Sequence, residues 1–161
     1  MRLPERATAW ALCGSTSALL LLGALAFQFV LGYRPCPMCL QERWLHVLVL
    51  TCAFTGFIPS VRRRAGTWHD LACICLLYVA AGAGFHHAAV EAGWVAASCG
   101  MDDYSAAATT RDILASLPDL PAPSCDNVSW TFMGMSMALW NGLLSALAAG
   151  MSIFVVTRKQ R

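Results

Sequence analysis

The residues best suited to chemistry lie in one short stretch, from Pro35 to Arg43. It contains a Cys-x-x-Cys pair, Cys36 and Cys39, followed by Glu42 and then by Arg43. Two thiols at this spacing can form a disulfide, and so tight a loop is easily strained. Strained, exposed disulfides are the ones that exchange with other thiols. The stretch therefore predicts thiol–disulfide exchange.

Helix geometry adds detail to this stretch. Proline is well tolerated in a first helical turn, so we expect a helix to begin near Pro37. Cys39 would then lie in the first turn, where backbone N–H groups and the helix dipole favour a thiolate. Arg43 lies on the same face, one turn deeper. Its guanidinium would stabilise the thiolate or bind a cofactor carbonyl; alternatively it snorkels to the membrane interface or pairs with Glu42 or Glu91.

The chain that must position this stretch has a membrane composition. Of its 161 residues, 58% are hydrophobic and 12% are charged, against about 25% charged in soluble domains. The net charge is only +2, and no basic run interleaves with aromatic residues. Both observations argue against a nucleic-acid partner.

Four apolar runs predict the fold. In lipid only helices and closed barrels satisfy their backbone groups, and a helical span needs about 20 apolar residues. We therefore predict an all-α membrane protein of one domain, residues 1–161, folded as a four-helix transmembrane bundle. A cleaved signal peptide ending near Ala26 is the alternative for the first run, but apolar residues continue past that site. The four expected spans are residues 7–31, 38–58, 71–90 and 132–156. The long acidic loop covers residues 91–131.

The basic residues set the expected orientation of this bundle. Most of them fall on one side of the four-span arrangement: Arg2, Arg6, Arg62, Arg63, Arg64, Arg158, Lys159 and Arg161. The other side holds only Arg34, Arg43 and Arg111. By the positive-inside rule both termini are then cytoplasmic. The Cys-x-x-Cys turn and the loop between the third and fourth helices share the outer side.

The eight cysteines divide by position on this arrangement. Cys36, Cys39, Cys99 and Cys125 fall on the outer side, where an oxidising compartment would allow two disulfides, Cys36–Cys39 and Cys99–Cys125. A structural staple of the loop is the alternative for the second pair. The other four lie inside apolar runs, where we expect buried thiols that act as small hydrophobic side chains: Cys13, Cys52, Cys73 and Cys75.

Two further sets of residues have expected roles in the spans. His87 and Glu91 are four residues apart at the end of the third run, so we expect them to share a helix face and form a hydrogen-bonded pair. A Cys-x-x-Cys pair beside the adjacent His86 and His87 is not a spacing typical of zinc sites, so we predict no metal ligands. Small residues that would allow close helix contacts are Gly82, Gly84, Gly134, Gly142 and Gly150.

The order of these features resembles the DsbB family, the disulfide bond formation proteins of bacterial inner membranes. The resemblance covers nearly the whole chain and is specific at residues 35–43. In vitamin K epoxide reductases, by contrast, the loop pair precedes the Cys-x-x-Cys pair. The resemblance extends to the motifs His87-x-x-Val90-Glu91-x-Gly93 and Trp130-x-Phe132-x-Gly134-x-Ser136-Met137-Ala138-x-Trp140-Asn141.

This resemblance implies a quinone-dependent protein dithiol oxidase of the inner membrane. It would re-oxidise a DsbA-type thioredoxin-fold partner in the periplasm and pass the electrons to ubiquinone or menaquinone. By the same resemblance Cys99 forms the mixed disulfide with the partner, and Cys125 is its disulfide mate. Cys36 would exchange with this loop pair, and Cys39 would face the quinone.

The resemblance also implies residues that contact the quinone. Arg43 is similar to the quinone-contacting arginine of the family. His87 is the best match to its quinone-side histidine, with His86 in the adjacent register. Met137, on the last span, would line the same pocket.

Two other functions remain open from the residues. The chain would be a membrane metal- or haem-handling protein if the cysteines, together with His86 and His87, bind a metal ion or a haem. It would be a structural membrane protein if the loop disulfide only staples it. Four outer cysteines in two pairs favour the enzyme over the structural protein.

Overall fold

Four long helices account for most of the residues that the structure, a computed structural model, describes. It describes residues 3–96 and 124–158, without the side chains of residues 3–5 and 59–65. The predicted all-α four-helix bundle is confirmed. The helices are α1 (Leu3–Phe29), α2 (Pro37–Gly56), α3 (Pro59–Glu91) and α4 (Met137–Thr157).

The ends of the helices follow from local sequence. Cys36 caps the N-terminus of α2, and Pro37 occupies the first turn, where its missing N–H costs nothing. Helix α3 begins earlier than the predicted span, at Pro59, and continues through a kink at Gly66, whose φ is 51°. Ser136 caps α4 by accepting a hydrogen bond of 3.2 Å from the Leu139 N–H.

A small β-hairpin precedes α4, so this helix begins five residues after the predicted start of the span. Strands β1 (Thr131–Phe132) and β2 (Met135–Ser136) pair in antiparallel register. The turn residues Met133 and Gly134 both have positive φ, 53° and 77°. Two-residue hairpin turns with positive φ at both positions match the natural twist of the strands.

Three of the described helices are long and apolar enough to cross a membrane by length and composition. These segments are Arg6–Phe29, Gly66–Glu91 and Met137–Thr157. Helix α2 is not among them, because its first half carries Glu42, Arg43 and His46. Glu42 and His46 are buried inside the bundle. The buried positions of α2 therefore hold polar side chains as well as the apolar Val49 and Ala53, while several of its larger apolar side chains are exposed.

The helices pack as a ring in which α2 and α4 each contact both α1 and α3. Consecutive helices run in opposite directions. The N-termini of α2 and α4 therefore meet the C-termini of α1 and α3 at one end of the bundle, the dithiol end. At the other end Asp70 is fully buried and accepts hydrogen bonds of 2.8 Å from Arg6 Nε and from Trp10 Nε1. This group ties α1 to α3.

A close backbone contact sets the distance between α3 and α4. A Cβ atom added at Gly84 would lie 2.7 Å from the backbone nitrogen of Gly142 and 2.9 Å from the carbonyl oxygen of Ala138. The predicted role of Gly84 and Gly142 in close packing is confirmed. It is wrong for Gly82, Gly134 and Gly150, where an added Cβ meets nothing within 4 Å.

Substitution of Gly84 should destabilise the bundle, whereas the same change at Gly82 should not. In Gly84→Ala the new methyl group meets backbone atoms that cannot rotate away, and overpacking of this kind costs about 1–3 kcal/mol. In Gly82→Ala the methyl group meets open space, so we expect unchanged or higher stability, because alanine favours helix more than glycine. Thermal unfolding of both variants in detergent, followed by circular dichroism, measures the difference. Equal melting temperatures would contradict the close contact.

Candidate dithiol site

The two cysteines of the Cys-x-x-Cys pair lie at the first turn of α2. Cys36 is the N-cap residue, with extended backbone angles, and its sulfur accepts a hydrogen bond of 3.1 Å from the Cys39 N–H. The two sulfur atoms are 2.8 Å apart, and both cysteines are free thiols in this structure. Cys36 is buried and Cys39 is half-buried. Their oxidation by a two-electron acceptor would need only a small movement of either side chain to reach the S–S bond length of about 2.05 Å.

The helix terminus acts on Cys36 and not, as we expected, on Cys39. An N-cap side chain receives the first free N–H groups of the helix, whereas the side chain at the third helical position points away from them. Hydrogen bonding with the Cys39 thiol lowers the pKa of Cys36, the Cys39 backbone N–H lowers it further, and burial opposes both. Cys36 is therefore the better thiolate of the pair.

A histidine and a carboxylate stand behind Cys36. Its sulfur lies 3.5 Å from Nε2 of His87 on α3. Nδ1 of the same imidazole lies 2.7 Å from Oε1 of Glu42 on α2. Since an ionised carboxylate only accepts hydrogen bonds, Nδ1 carries a proton, and Nε2 of the neutral ring is left as an acceptor toward the Cys36 thiol. The predicted partner of His87 on its own helix was Glu91, whose Oε2 is buried without a hydrogen bond to the described residues.

The second oxygen of Glu42 extends this network to the remaining helices. Asn141 Nδ2 on α4 donates to Glu42 Oε2 over 2.6 Å. The Asn141 oxygen Oδ1 lies 2.8 Å from His46 Nε2, and His46 Nδ1 lies 3.2 Å from the Ser17 hydroxyl on α1. Because the amide oxygen must accept, His46 Nε2 donates and Ser17 donates to His46 Nδ1. All four helices contribute to one buried chain of hydrogen bonds.

The arrangement of Cys36, His87 and Glu42 is that of an activated nucleophile. A thiol lies beside a base, and a carboxylate orients that base. His87 can take the Cys36 proton at Nε2 while Glu42 stabilises the resulting imidazolium. The three groups can thus form and protect a thiolate in an apolar environment.

Arg43 is held by α1 and faces the same space. Its Nη1 donates to Gln28 Oε1, and its Nη2 donates to the Ala24 carbonyl over 3.2 Å. It pairs with neither of the glutamates, Glu42 or Glu91, that the alternative interpretation offered. Its Nε is buried and makes no hydrogen bond to the part of the chain that the structure describes. The guanidinium is therefore oriented and still has a donor to offer.

A cavity of about 350 Å³ joins these groups. Its wall brings together five of the residues predicted for the site: Cys36, Cys39, Arg43, His87 and Met137. The rest of the wall includes five aromatic side chains: Phe27, Tyr33, Trp130, Phe132 and Trp140. The cavity therefore combines aromatic surface with one dithiol and two cations, Arg34 and Arg43.

The loop cysteines connect to the site through Cys125. Cys125 is disulfide-bonded, is 1% exposed and packs in one cluster with Cys36, Met38 and Val90. Cys99, its predicted mate, lies outside the described residues. The loop disulfide thus has one of its sulfurs packed beside the Cys-x-x-Cys pair.

The remaining predictions about histidines and cysteines have mixed outcomes. His86 is exposed, so only His87 faces the thiols. We predicted no metal ligands, yet the ligand atoms of Cys36, Cys39 and His87 lie within 4.8 Å of one another, close enough to hold an ion. Cys13 and Cys73 are buried as expected. Cys52 is half-buried, and Cys75 is exposed on the outside of the bundle, against expectation.

Several residues of the network were not identified from the sequence as site residues: Ser17, Gln28, His46 and Asn141. The signal that could have found Gln28, His46 and Asn141 is their polarity inside apolar runs, because intramembrane polar groups face the bundle interior. Nothing in the sequence pairs them, since their partners are distant in the chain.

Comparison with known proteins identifies relatives over most of the chain. The family model described as disulfide bond formation protein DsbB matches residues 6–155. A disulfide bond formation protein B from Aromatoleum aromaticum is 32% identical, over 87% of this chain and 86% of the relative. Proteins of the same name from Acidovorax sp. and Polaromonas sp. are 31% and 32% identical, covering 94% and 89% of this chain and 87% and 86% of their own.

The geometry predicts how substitutions at Cys39 change the ionisation of Cys36. In Cys39→Ala the thiol donor is lost, so the pKa of Cys36 rises and its thiolate appears only at higher pH. In Cys39→Ser a hydroxyl donor remains, so we expect a smaller rise. The measurement is the pH dependence of Cys36 alkylation, read for this residue by mass spectrometry. The same midpoint in both variants would show that the neighbouring side chain does not set this pKa.

Proposed function

The chain belongs to the DsbB family of disulfide bond formation proteins, and we propose that it oxidises a DsbA-type thioredoxin-fold dithiol and delivers the electrons to a quinone. Both reactions take place at the periplasmic face of a bacterial inner membrane. One observation carries the proposal. The Cys36–Cys39 pair both packs in one cluster with the disulfide-bonded Cys125 and lines the cavity that Arg43 also lines.

The first stage transfers two electrons from the partner to the loop disulfide. A thiolate of the partner attacks Cys99, the Cys99–Cys125 bond breaks, and Cys125 leaves as a thiolate. The second partner thiol then attacks the mixed disulfide, which releases the oxidised partner and leaves Cys99 reduced. The partner has lost two electrons and two protons, and the loop pair has gained them.

The second stage moves the same two electrons to the Cys-x-x-Cys pair. The Cys125 thiolate attacks Cys36 of the Cys36–Cys39 disulfide, and Cys39 leaves. Cys99 then attacks Cys125, which restores the loop disulfide and leaves Cys36 reduced. The contact of Cys125 with Cys36 supports this order, because exchange needs the attacking and attacked sulfurs to be neighbours.

The cavity residues fit a quinone as the final acceptor. Aromatic side chains suit the faces of a flat ring, and the Arg43 guanidinium on the cavity wall carries N–H donors for a carbonyl oxygen. When bound, a quinone supplies an acceptor for two electrons and two protons. Met137 and Cys39 would lie against it, with His87 beside them.

The buried network handles the protons that dithiol oxidation releases. His87 takes the Cys36 proton at Nε2, and Glu42 stabilises the charge that appears on the ring. Asn141 and His46 fix the orientation of Glu42 and keep its second oxygen hydrogen-bonded. These groups shield a charge in a place where an unpaired ion is costly.

Metal binding at the same thiols is the second candidate function, because Cys36, Cys39 and His87 present their ligand atoms within 4.8 Å. The hydrogen bond from His87 Nδ1 to Glu42 is also of the kind that orients metal-ligating histidines. Copurified metal that is lost in Cys36→Ser and His87→Ala, but kept in His86→Ala, would favour this function.

The decisive experiment follows quinone consumption by the purified protein with a reduced DsbA-type partner. We expect the wild-type protein to consume quinone and oxidise the partner in equal amounts. In Cys99→Ala, partner oxidation should stop while quinone still oxidises a chemically reduced Cys36–Cys39 pair, because only the loop stage is removed. Absence of quinone loss with folded wild-type protein would refute the proposal. Wild-type turnover by Cys99→Ala would refute the relay order.

Removal of the Arg43 guanidinium should weaken quinone binding. In Arg43→Ala the donor toward the cavity is lost, so we expect the apparent KM for quinone to rise by roughly tenfold, the equivalent of one hydrogen bond to a charged group. Gln41→Ala is the matched control, because Gln41 is exposed on the same helix and does not line the cavity. An unchanged KM in Arg43→Ala would leave the guanidinium with a structural role only.

A further inference from the structure

A second group of thiols and imidazole lies at the end of the bundle opposite the dithiol. Cys52 projects from α2, and His69 and Cys73 project from α3. Their ligand atoms all lie within 4.8 Å of one another, with Cys52 Sγ 3.9 Å from His69 Nε2. Cys52 follows Cys36 by sixteen positions on α2, which is roughly 24 Å along a helix. This group is therefore separate from the dithiol site.

The helices hold the three ligands in place before any ion binds. His69 and Cys73 are four residues apart, so they share one face of α3. That face packs on α2, which supplies Cys52. Trp10 lies edge-on against the His69 ring, with centroids 5.6 Å apart, and restricts its rotation. Binding here requires little ordering of side chains.

The state of His69 points independently to a ligand. Its Nε2 lies near Cys52 and 3.2 Å from the Thr55 hydroxyl. Its Nδ1 is buried and makes no hydrogen bond to any group in residues 3–96 or 124–158. Buried polar side-chain atoms are usually satisfied. His69 therefore has one unpartnered ring nitrogen and lies beside two thiols.

Charge selects the kind of ion that fits. Two thiolates and a neutral imidazole neutralise a divalent cation, so the complex carries no net charge in an apolar setting, where a net charge would be costly. Asp70 lies next to His69 in the chain but already accepts hydrogen bonds from Arg6 and Trp10. Sulfur and nitrogen ligands without an added carboxylate favour a thiophilic ion over magnesium or calcium.

We propose that Cys52, His69 and Cys73 form a binding site for a thiophilic metal ion, with Zn²⁺ as its chemical type. Binding replaces the S–H bonds of two thiols by two metal–sulfur bonds and releases two protons, and the His69 imidazole donates its free nitrogen lone pair. Three protein ligands leave a fourth position to a water molecule. The ion clamps α2 to α3 at this end of the bundle.

The test uses full-length protein in which Cys36, Cys39, Cys99 and Cys125 are all alanine, so that the dithiol site cannot bind metal. We expect the reduced protein in detergent to bind a single Co²⁺ ion per chain, with thiolate-to-cobalt absorption in the near ultraviolet that Zn²⁺ abolishes. The absorption should be lost in Cys52→Ala, Cys73→Ala and His69→Ala. It should persist in Cys75→Ala, the matched control, because Cys75 is exposed on the far side of the same helix.

Two further measurements keep the outcome interpretable. Cys73→Ser, which is closest in size, should also lose the absorption, and its circular dichroism spectrum will show whether the helices are intact. With the outer cysteines restored, Cys73→Ala should oxidise thiols at the wild-type rate. Absence of Co²⁺ binding in a folded background, its survival in Cys52→Ala, or a Cys52–Cys73 disulfide in the protein isolated under reducing conditions would each overturn the proposal.

Discussion

The structure depends on one buried carboxylate. Glu42 is 8% exposed and accepts hydrogen bonds from His87 on α3 and Asn141 on α4. An unpaired carboxylate in this position would cost several kcal/mol, so its two partners must be in place whenever it is ionised. The three helices that supply Glu42, His87 and Asn141 can satisfy it only at one separation and one rotation. The contact of Gly84 with Gly142, close to His87 and Asn141 in the chain, provides that separation.

The same constraint explains how a membrane bundle can hold a reactive thiol. Cys36 needs a base nearby, and a base in an apolar core needs a partner for its charge. The Glu42 network meets both needs, because His87 is the base and the hydrogen-bonded Glu42 carboxylate is the partner for its charge. The helix terminus further stabilises the thiolate, because Cys36 is the N-cap residue and its sulfur accepts a hydrogen bond from the Cys39 backbone N–H. Activation of the thiol and stability of the bundle thus rest on the same contacts.

Much of the fold could be predicted because local sequence patterns determine where the helices form. Apolar run length identified all four helices, and Pro37 marked the start of α2. The β-hairpin before α4 was missed, because its signal is only the Met133-Gly134 turn inside an apolar region. The kink at Gly66 was missed for a similar reason. Turns and kinks in an apolar chain depend on single residues, and a prediction from the average composition of a segment does not detect them.

The site could be predicted only in part. Cys39, Arg43, His87 and Met137 line one cavity, as the family resemblance implied, and Cys36 lines it too. The prediction that the helix-terminal N–H groups act on the Cys39 sulfur was wrong. Cys39 does lie in the first turn of α2, but the side chain that caps this turn is Cys36. The partners of His87 and Arg43 could not be inferred. Glu42 and Gln28 reach them from other helices, and spacing along one helix carries no information about such pairs.

The burial of Cys125 has a consequence for which molecules can enter the pathway. A disulfide with both sulfurs in solvent is open to any small thiol, from either side, and would leak electrons to or from the surrounding redox pool. Here Cys125 is 1% exposed and packs with Cys36, Met38 and Val90. An external thiol therefore cannot reach the Cys125 sulfur, and an attack on this disulfide makes Cys125 the leaving group. Steric access thus selects the sulfur that is attacked, whereas the relative potentials of the two pairs set the net direction of electron flow.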